Sequence, residues 1–335
     1  MYLVSCLIPI FKTERYIERC ARSLFSQTYS NLEFVFVDDC SPDKSIDVLE
    51  SVLSDYPERR AQVRIIRHSS NKGLASARNT LLNNAKGQFV CHVDSDDWLE
   101  PQAIELLVEQ QIKTSADIVS GNAYMHTDKG IEKLFEPIYH DKHEMVLQQF
   151  QYSLDHVIWR RIIRRSVYTD NNIQCLDGFD MTEDRYQMAL LSYYASSFSR
   201  IDSFIYNYER RNEGSIMSQY VKKDTILRKQ YEYLGNWMGL YRFFNDKETD
   251  FNNESAKKAL LYADTYLKTS LRLGSKQDFL HAIDSIDRID TDFWPIIGWS
   301  RQGFKGYLVH NYHYRRAIDF KERVFRYIKR IFNGK

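Results

Sequence analysis

Strand-like runs recur along the first part of the chain at nearly constant spacing. Short stretches rich in β-branched and aromatic residues begin near residues 3, 32, 63, 89 and 117. The segments between them carry apolar residues at helical spacing, which is typical of βαβ units about 30 residues long. Because strands joined by helices run parallel and are covered by those helices, the sequence predicts an α/β fold with a mainly parallel sheet.

Two helix starts are predicted from capping signals. In the first helix the apolar residues share one face, and Thr13 precedes them as a cap. These apolar residues are Ile17, Cys20, Ala21, Leu24 and Phe25. The second helix is expected to begin at Pro42 with Ser41 as its cap, because proline is favoured in the first helical position.

A change of pattern near residue 222 divides the chain. Three later segments have helical spacing, and no proline occurs between Pro137 and Pro295. We therefore expect a first domain over residues 1–220 and a helical C-terminal region over residues 221–335.

Charge is unevenly distributed, although the whole chain has a formal net charge of +1. Residues 315–335 contain eight Lys or Arg against Asp319 and Glu322, so this tail is +6 and the rest of the chain is −5. The tail also has helical apolar spacing. It therefore predicts either a basic amphipathic helix on a membrane surface or a final helix packed on the body of the protein. The near-neutral body argues against a nucleic-acid partner.

Cysteine usage and hydropathy indicate the compartment. The five cysteines are odd in number, widely spaced and without a C-x-x-C pair, which argues against a disulfide framework and a zinc site. No run approaches the about 20 apolar residues of a spanning helix, and the N-terminus lacks the layout of a signal peptide. We therefore expect a cytoplasmic protein, either free or peripheral at the inner face of the membrane.

Two groups of aspartates follow predicted strands. They are Asp38, Asp39 and Asp43 after the second strand, and Asp94, Asp96 and Asp97 after the fourth. The carboxyl ends of parallel strands meet at one edge of a sheet, where ligands bind. Three carboxylates in four positions repel one another unless a cation compensates them, which predicts Mn²⁺ or Mg²⁺ at the second group. For Asp43, a role as a loop or cap residue is an equally good interpretation.

Glycine-rich phosphate loops are absent from the sequence. The first strand continues into P-I-F-K-T-E-R without a glycine, and no G-x-x-x-x-G-K-[ST] occurs. Dinucleotide-binding domains, P-loop proteins and sugar nucleotidyltransferases are thereby disfavoured. The remaining interpretation is a nucleotide-binding site formed by acidic side chains and a metal ion.

Eight short segments form a specific ordered pattern over roughly residues 2–215. They are L-I-P-I-F, S-L-F-S-Q-T-Y, V-D-D-C-S-P-D-K-S, N-K-G-L-A-S-A-R-N, V-D-S-D-D-W-L-E-P, W-R-R-I-I-R-R, T-E-D-R and Y-E-R-R-N-E-G-S-I. Together they resemble the inverting family 2 glycosyltransferases, which have the nucleotide-sugar-binding A-type fold. The resemblance implies that residues 1–220 are a catalytic domain, with a nucleotide-sugar-binding half over 1–122 and an acceptor-side half over 123–220.

The resemblance also implies a role for each matching residue. The implied nucleotide-binding residues are Pro9, Phe11, Asp39, Arg78, Asp94 and Ser95. Among them, Asp39 would accept a hydrogen bond from a uracil ring, and Asp96 would bind Mn²⁺ or Mg²⁺ between the two phosphates of a UDP-sugar. Asp184 would be the catalytic base. The further acceptor-side candidates are Trp159, Glu183 and Arg211.

The implied reaction is a single displacement with inversion. A sugar would pass from the UDP-sugar to a hydroxyl of a glycan or lipid-linked glycan, in polysaccharide or cell-surface glycan synthesis. One alternative is a catalytically inactive sugar-nucleotide-binding or scaffolding protein. Another concerns Glu183 and Asp184 alone, which could simply occupy the first turn of a helix capped by Thr182.

Three positions depart from the common family pattern. Phe11-Lys12 replaces the usual Tyr-Asn, Cys40 replaces a Gly, and Arg161 stands where Lys is common. Cys40 must therefore form a turn without the conformational freedom of glycine. None of these changes removes a carboxylate that the chemistry needs.

Overall fold

The computed structural model describes residues 1–150, 157–212, 223–273 and 276–289. The chain divides into two compact units, Met1–Gln219 and Tyr220–Lys335. The basic tail over residues 315–335 lies outside the described residues, so its amphipathic helix stays a prediction. Every helix within the described ranges is too short or too polar to cross a membrane.

The first unit is built on a sheet that has nine strands in the described residues. The strands are β1 (Val4–Ile10), β2 (Leu32–Asp38), β3 (Val63–Arg67), β4 (Phe89–His92), β5 (Trp98–Leu99), β6 (Ile118–Thr127), β7 (Gly130–Leu134), β8 (Arg161–Arg164) and β9 (Phe198–Glu209). Their order across the sheet is β3-β2-β1-β4-β8-β6-β9-β5, and β7 pairs with β6. Strands β3, β2, β1 and β4 are parallel, so the predicted α/β class is confirmed.

Helices cover both faces of the parallel strands. They are α1 (Ile17–Phe25), α2 (Ser45–Ser54), α3 (Leu74–Asn84), α4 (Ala103–Thr114), α5 (Lys142–Gln148), α6 (Arg165–Thr169) and α7 (Glu183–Tyr194), with a 3-10 helix over Pro57–Gln62. Residues of α1, α2 and α4 pack in one core with alternate residues of β1 and β2, and α3 also contacts these two strands. The ring of Phe25 meets the ring of Phe34 edge-on at 5.3 Å. β1 and β2 are buried along their whole length because both faces are covered.

The parallel run ends at β4. The strand predicted near residue 117 is β6, but β8 lies between β4 and β6 and is antiparallel to both. β6 pairs in parallel with β9, with irregularities between Ser120 and Ala123. β8 follows β6 by more than 30 residues, so no local pattern announces that it inserts next to β4.

The predicted cap of α1 is wrong. α1 begins at Ile17, and its N-cap is Tyr16. Thr13 contributes its backbone instead of its hydroxyl: the carbonyl oxygen accepts the N–H groups of Tyr16 at 2.8 Å and Ile17 at 2.9 Å. The turn before the helix is therefore closed by the main chain.

The predicted start of α2 at Pro42 is also wrong, because α2 begins at Ser45. The Asp43 carboxylate accepts the N–H and the hydroxyl of Ser45, at 3.2 and 2.6 Å, and the hydroxyl of Ser41 at 2.7 Å. Its other oxygen accepts the N–H of Glu14 at 3.0 Å. Asp43 thus organises this loop, in agreement with the alternative interpretation of that residue.

The second unit is helical in the residues described, as the sequence predicts. Its helices are α8 (Lys223–Phe244), α9 (Thr249–Leu273) and α10 (Lys276–Ile289). α8 and α9 pack through aromatic side chains. Tyr233 stacks on Tyr262 with ring centroids 5.0 Å apart, and Phe244 meets Phe251 at 5.2 Å.

Candidate functional site

The candidate site lies at the edge of the sheet where β1, β2 and β4 end. These strands end at Ile10, Asp38 and His92. Because they are parallel, their carboxyl ends share one edge. The N–H of Asp39 donates to the carbonyl oxygen of Ile10 over 2.9 Å, which joins the loops after β1 and β2.

Asp39 is buried and holds the segment that precedes α3. Its Oδ1 accepts the N–H of Lys72 at 2.8 Å and lies 2.7 Å from Nδ1 of His68. Its Oδ2 accepts the N–H of Gly73 at 2.9 Å. A carboxylate oxygen can accept two hydrogen bonds. Among the described contacts Oδ2 accepts one hydrogen bond, so it keeps the capacity to accept a second.

The start of α3 depends on a close approach at Gly73. This residue has a φ of +91°, and a Cβ there would collide with the Asp180 carboxylate. Oδ1 of Asp180 accepts the N–H of Ala75 at 3.0 Å, in the first turn of α3. Negative charge is favourable at a helix N-terminus. The loop before α7 thereby fixes the end of α3 that faces Asp39.

Arg78 of α3 joins two acids from different elements. Its Nη2 donates to Oδ1 of Asp94 and its Nε to Oε1 of Glu183, both at 3.0 Å. The pKa of Glu183 is raised to about 8, and burial is the largest cause. Arg78 lowers the pKa in part, while the charge of Asp184 adds to the rise. One buried guanidinium therefore connects the loop after β4 with the first residue of α7.

Asp97 is an internal residue rather than a member of an open acidic cluster. Its Oδ2 accepts the hydroxyl of Tyr206 at 2.7 Å, and its Oδ1 accepts the N–H of Glu209 at 2.8 Å. Burial and the charges of Asp96 and Asp94 raise its pKa well above the ordinary value. With Asp94 paired to Arg78, the repulsion expected among the three carboxylates falls mainly on Asp96.

Asp96 is partly buried and is held by polar contacts. Its Oδ2 accepts the amide Nδ2 of Asn212 at 2.9 Å, and its backbone oxygen accepts Nη2 of Arg19 at 3.0 Å. Burial, followed by the charge of Asp94, raises the pKa of Asp96 to about 6. A cation at this carboxylate would offset both effects.

Residues 94–97, which follow β4 and are called the acidic loop from here on, fit a divalent cation that also binds phosphate. Within the described ranges, no three His, Cys, Asp or Glu side chains come together as a complete metal site. Mg²⁺ and similar cations commonly take one or two carboxylates and complete their shell with water and substrate phosphate oxygens. Asp96, with Asp94 two positions away, is a donor set of that kind.

Asp184 lies in the first turn of α7 and is half-buried. Its Oδ1 accepts the N–H of Arg185 at 2.7 Å. Thr182 occupies the N-cap position, but its hydroxyl donates to the carbonyl of Met181 and its φ of +62° is left-handed. Thr182 is thus the N-cap residue, and Glu183 and Asp184 occupy the first turn as the alternative interpretation has it, although the Thr182 hydroxyl makes no capping hydrogen bond.

The remaining nucleotide-side candidates lie at the same edge. Pro9 is buried in β1 opposite Val37, and Ser95 is buried in the acidic loop. Phe11 follows β1 and is 39% exposed, with the Lys12 ammonium 5.0 Å from its ring centroid. An exposed ring at this edge is available for stacking on a base.

Two acceptor-side candidates are engaged within the protein. Trp159 is buried and stacks on Tyr206 with ring centroids 4.5 Å apart. Arg211 forms a bidentate pair with Glu209, with distances of 2.7 and 2.6 Å. This pairing lowers the pKa of Glu209 to about 2, against the effect of burial. Both side chains therefore contact residues of β9.

Sequence reasoning missed the residues that hold the site acids. They are His68 and Asp180 around α3, and Tyr206, Glu209 and Asn212 at the end of β9. Glu209 and Asn212 belong to the quoted Y-E-R-R-N-E-G-S-I segment, which was a usable signal. Tyr206 lies before that segment and carries no motif.

Three non-glycine residues around the site, Lys12, Cys40 and Thr182, have left-handed backbone. The described residues include six non-glycine residues with positive φ: Lys12, Cys40, Ser115, Arg160, Asn172 and Thr182. Lys12 and Cys40, both at +56°, stand where the family pattern has Asn and Gly, which tolerate this conformation. Such strain is common at functional sites.

Replacing Cys40 by glycine is expected to stabilise the protein by up to about 1 kcal/mol, because relief of the left-handed strain exceeds the entropy cost of glycine. Urea unfolding measures the change. Cys40→Ala is the matched control, since it removes the thiol and keeps the Cβ. A Cys40→Gly variant no more stable than Cys40→Ala would contradict the prediction, because relief of strain would then not exceed the entropy cost of glycine.

Comparison with known proteins agrees with this architecture. Residues 5–168 match the family model described as Glycosyl transferase family 2. EpsH of Bacillus subtilis (strain 168) is 30% identical over 230 residues, which are 66% of this chain and 64% of EpsH. The chain thus matches slightly less than two thirds of that relative's length.

Solved structures show the same fold at low sequence identity. S. aureus TarS 1-349 in complex with UDP-GlcNAc has a TM-score of 0.58 and 18% identity, covering 95% of this chain and 88% of TarS. Mannosyltransferase PcManGT from Pyrobaculum calidifontis, in complex with GDP-Man and Mn²⁺, has a TM-score of 0.53 and 13% identity, covering 89% and 83%. The predicted A-type fold is confirmed. By the match over residues 5–168 and its curated relatives, this chain contains a glycosyl transferase family 2 domain.

Proposed function

We propose that this protein transfers a sugar from a UDP-sugar to a hydroxyl of a glycan or lipid-linked glycan, with inversion and with Mn²⁺ or Mg²⁺. Polysaccharide or cell-surface glycan synthesis is the proposed setting. The observation that carries this proposal is the Arg78 guanidinium, which lies 3.0 Å from both Asp94 and Glu183. It brings Asp94, a proposed nucleotide-binding acid, next to Glu183, the residue that precedes Asp184.

The donor half has groups suited to a uridine diphosphate. Asp39 can accept from the base, and Phe11 offers an exposed ring beside it. Asp96 would hold the cation, with Asp94 nearby, and the bound cation would stabilise the charge that develops on the leaving diphosphate. The complex of TarS with UDP-GlcNAc supports the choice of uridine. PcManGT binds GDP-Man, so guanosine is the first competitor to test.

Asp184 is the proposed base. Its carboxylate, in the first turn of α7 and next to the Arg78 bridge, would take the proton of an acceptor hydroxyl. Attack from the face opposite the diphosphate then inverts the anomeric carbon. The protein's own contribution is to hold donor and acceptor in that geometry.

A donor screen tests the proposal. The protein is incubated with Mn²⁺ and a panel of UDP-, GDP- and dTDP-sugars, and nucleoside diphosphate release is followed with and without acceptor extracts. We expect acceptor-dependent release from a UDP-sugar, loss of release in EDTA, and a β-linked product from an α-linked donor by NMR.

Other outcomes identify what is wrong. Undiminished release in EDTA would remove the metal from the proposal. Retained anomeric configuration would remove inversion. Tight UDP-sugar binding without release, across all acceptor extracts, would instead favour the catalytically inactive sugar-nucleotide-binding protein.

A further inference from the structure

The end of β9 and the residues just after it contact all three aspartates of the acidic loop. The hydroxyl of Tyr206 accepts the N–H of Asp94 at 3.2 Å and donates to Asp97. The N–H of Glu209 also donates to Asp97, and the amide of Asn212 donates to Asp96 at 2.9 Å. One segment, more than 100 residues away in sequence, thus shapes the loop.

These four hydrogen bonds have different consequences. Those to Asp94 and Asp97 involve a backbone N–H and an internal carboxylate, and so they fold the loop. The contact from Asn212 reaches the side chain of Asp96, the residue proposed to bind the cation. Asn212 is itself buried, with 6% exposure. A buried amide with a fixed donor restricts the orientation of the carboxylate.

The chemical type of the donor matters. A lysine or arginine in this place would neutralise Asp96 and compete with the cation, whereas an amide donates a hydrogen bond without removing negative charge. Oδ2 of Asp96 accepts that hydrogen bond, so the carboxylate can bind a metal in a defined orientation. Hydrogen bonds to ligating carboxylates commonly have this effect on metal affinity.

We propose that Asn212 is a positioning residue that orients the Asp96 carboxylate for the divalent cation. This inference rests on the proposed function, since it assigns Asn212 to the same metal site. Asn212 would act only through Asp96 and would touch neither the sugar nor the acceptor.

Calorimetry of nucleotide binding tests the inference without measuring transfer. UDP is titrated into the full-length protein in EDTA and at several fixed Mn²⁺ concentrations. Asn212→Ala should weaken the apparent Mn²⁺ affinity about tenfold or more, while UDP affinity in EDTA stays at the wild-type value. Asn212→Ser is a second, milder truncation, with the same expected result.

The matched control is Asn207→Ala. Asn207 lies on β9 and is also buried, but its amide donates to Glu100 at 2.8 Å, outside the acidic loop. This control should fold and keep the wild-type Mn²⁺ dependence. Wild-type Mn²⁺ affinity in either folded Asn212 variant would overturn the inference, as would an equal loss of UDP affinity in EDTA. If the wild type itself shows no Mn²⁺-dependent binding, the metal in the proposed function fails first.

Discussion

Asp184→Asn is expected to lower the rate of sugar transfer by about 10²- to 10⁴-fold, the range attributed to a general base. Asparagine has nearly the same size and keeps the oxygen that accepts the N–H of Arg185. The start of α7 should therefore be preserved. What is lost is the ability to take a proton from the acceptor hydroxyl.

The measurement has two parts. Transfer is followed with the donor identified by the screen, and UDP affinity is determined by calorimetry with Mn²⁺. UDP affinity should remain near the wild-type value, because Asp184 is proposed to act on the acceptor. Asp170→Asn, at an exposed position after α6, is the matched control. Transfer at more than a tenth of the wild-type rate would exclude Asp184 as the base.

Much of the fold follows from local patterns. The strand and helix periodicities over the first 115 residues predicted β1 to β4 and α1 to α4. Each of these elements buries apolar residues whose regular spacing is visible in the sequence. Helix starts were less accessible. Asp43 organises the loop before α2 through contacts with Ser45 and Glu14, and a neighbouring Ser-Pro pair gave a misleading signal.

The site was predictable only in part. Aspartates after parallel strands predict that these side chains share one edge of the sheet, and Asp39, Asp94 and Asp96 do lie at one edge. The burial and the hydrogen bonds of each aspartate depend on partners that are distant in sequence. Asp97 has the same local signal as Asp96, yet Tyr206 and the N–H of Glu209 make it internal. No periodicity reports a pairing between β5 and β9, so these roles required the three-dimensional structure.

Arg78 connects the loop after β4 with the start of α7. Its guanidinium donates hydrogen bonds to two acids, Asp94 and Glu183, and Arg78 is only 3% exposed. Burial alone would lower the pKa of Arg78, but Asp94 and Glu183 raise it. The guanidinium therefore remains charged, and its removal should affect both the acidic loop and α7.

At pH 9, where Glu183 is ionised in the wild type, Arg78→Met should destabilise the protein by about 3 to 5 kcal/mol, because it leaves a buried acid without its cation. The effect should also depend on pH. The pKa of Glu183 is raised in the folded protein, so Glu183 binds a proton more tightly when folded, and its contribution to stability is lost as pH rises through about 8. Without Arg78 that pKa rises further, and the loss of stability should grow between pH 7 and pH 9.

Urea unfolding at both pH values measures this, with Arg22→Met as the matched control. Arg22 pairs with Glu18 and Asp55 on the surface, where such pairs contribute about 0 to 1 kcal/mol. The double variant Arg78→Met with Glu183→Gln removes the titrating acid. It should recover part of the lost stability and lose the added pH dependence. If Arg78→Met is no more destabilising than Arg22→Met, the buried Arg78 bridge does not hold α7 against the acidic loop. Other residues would then have to connect the proposed metal site with the proposed base.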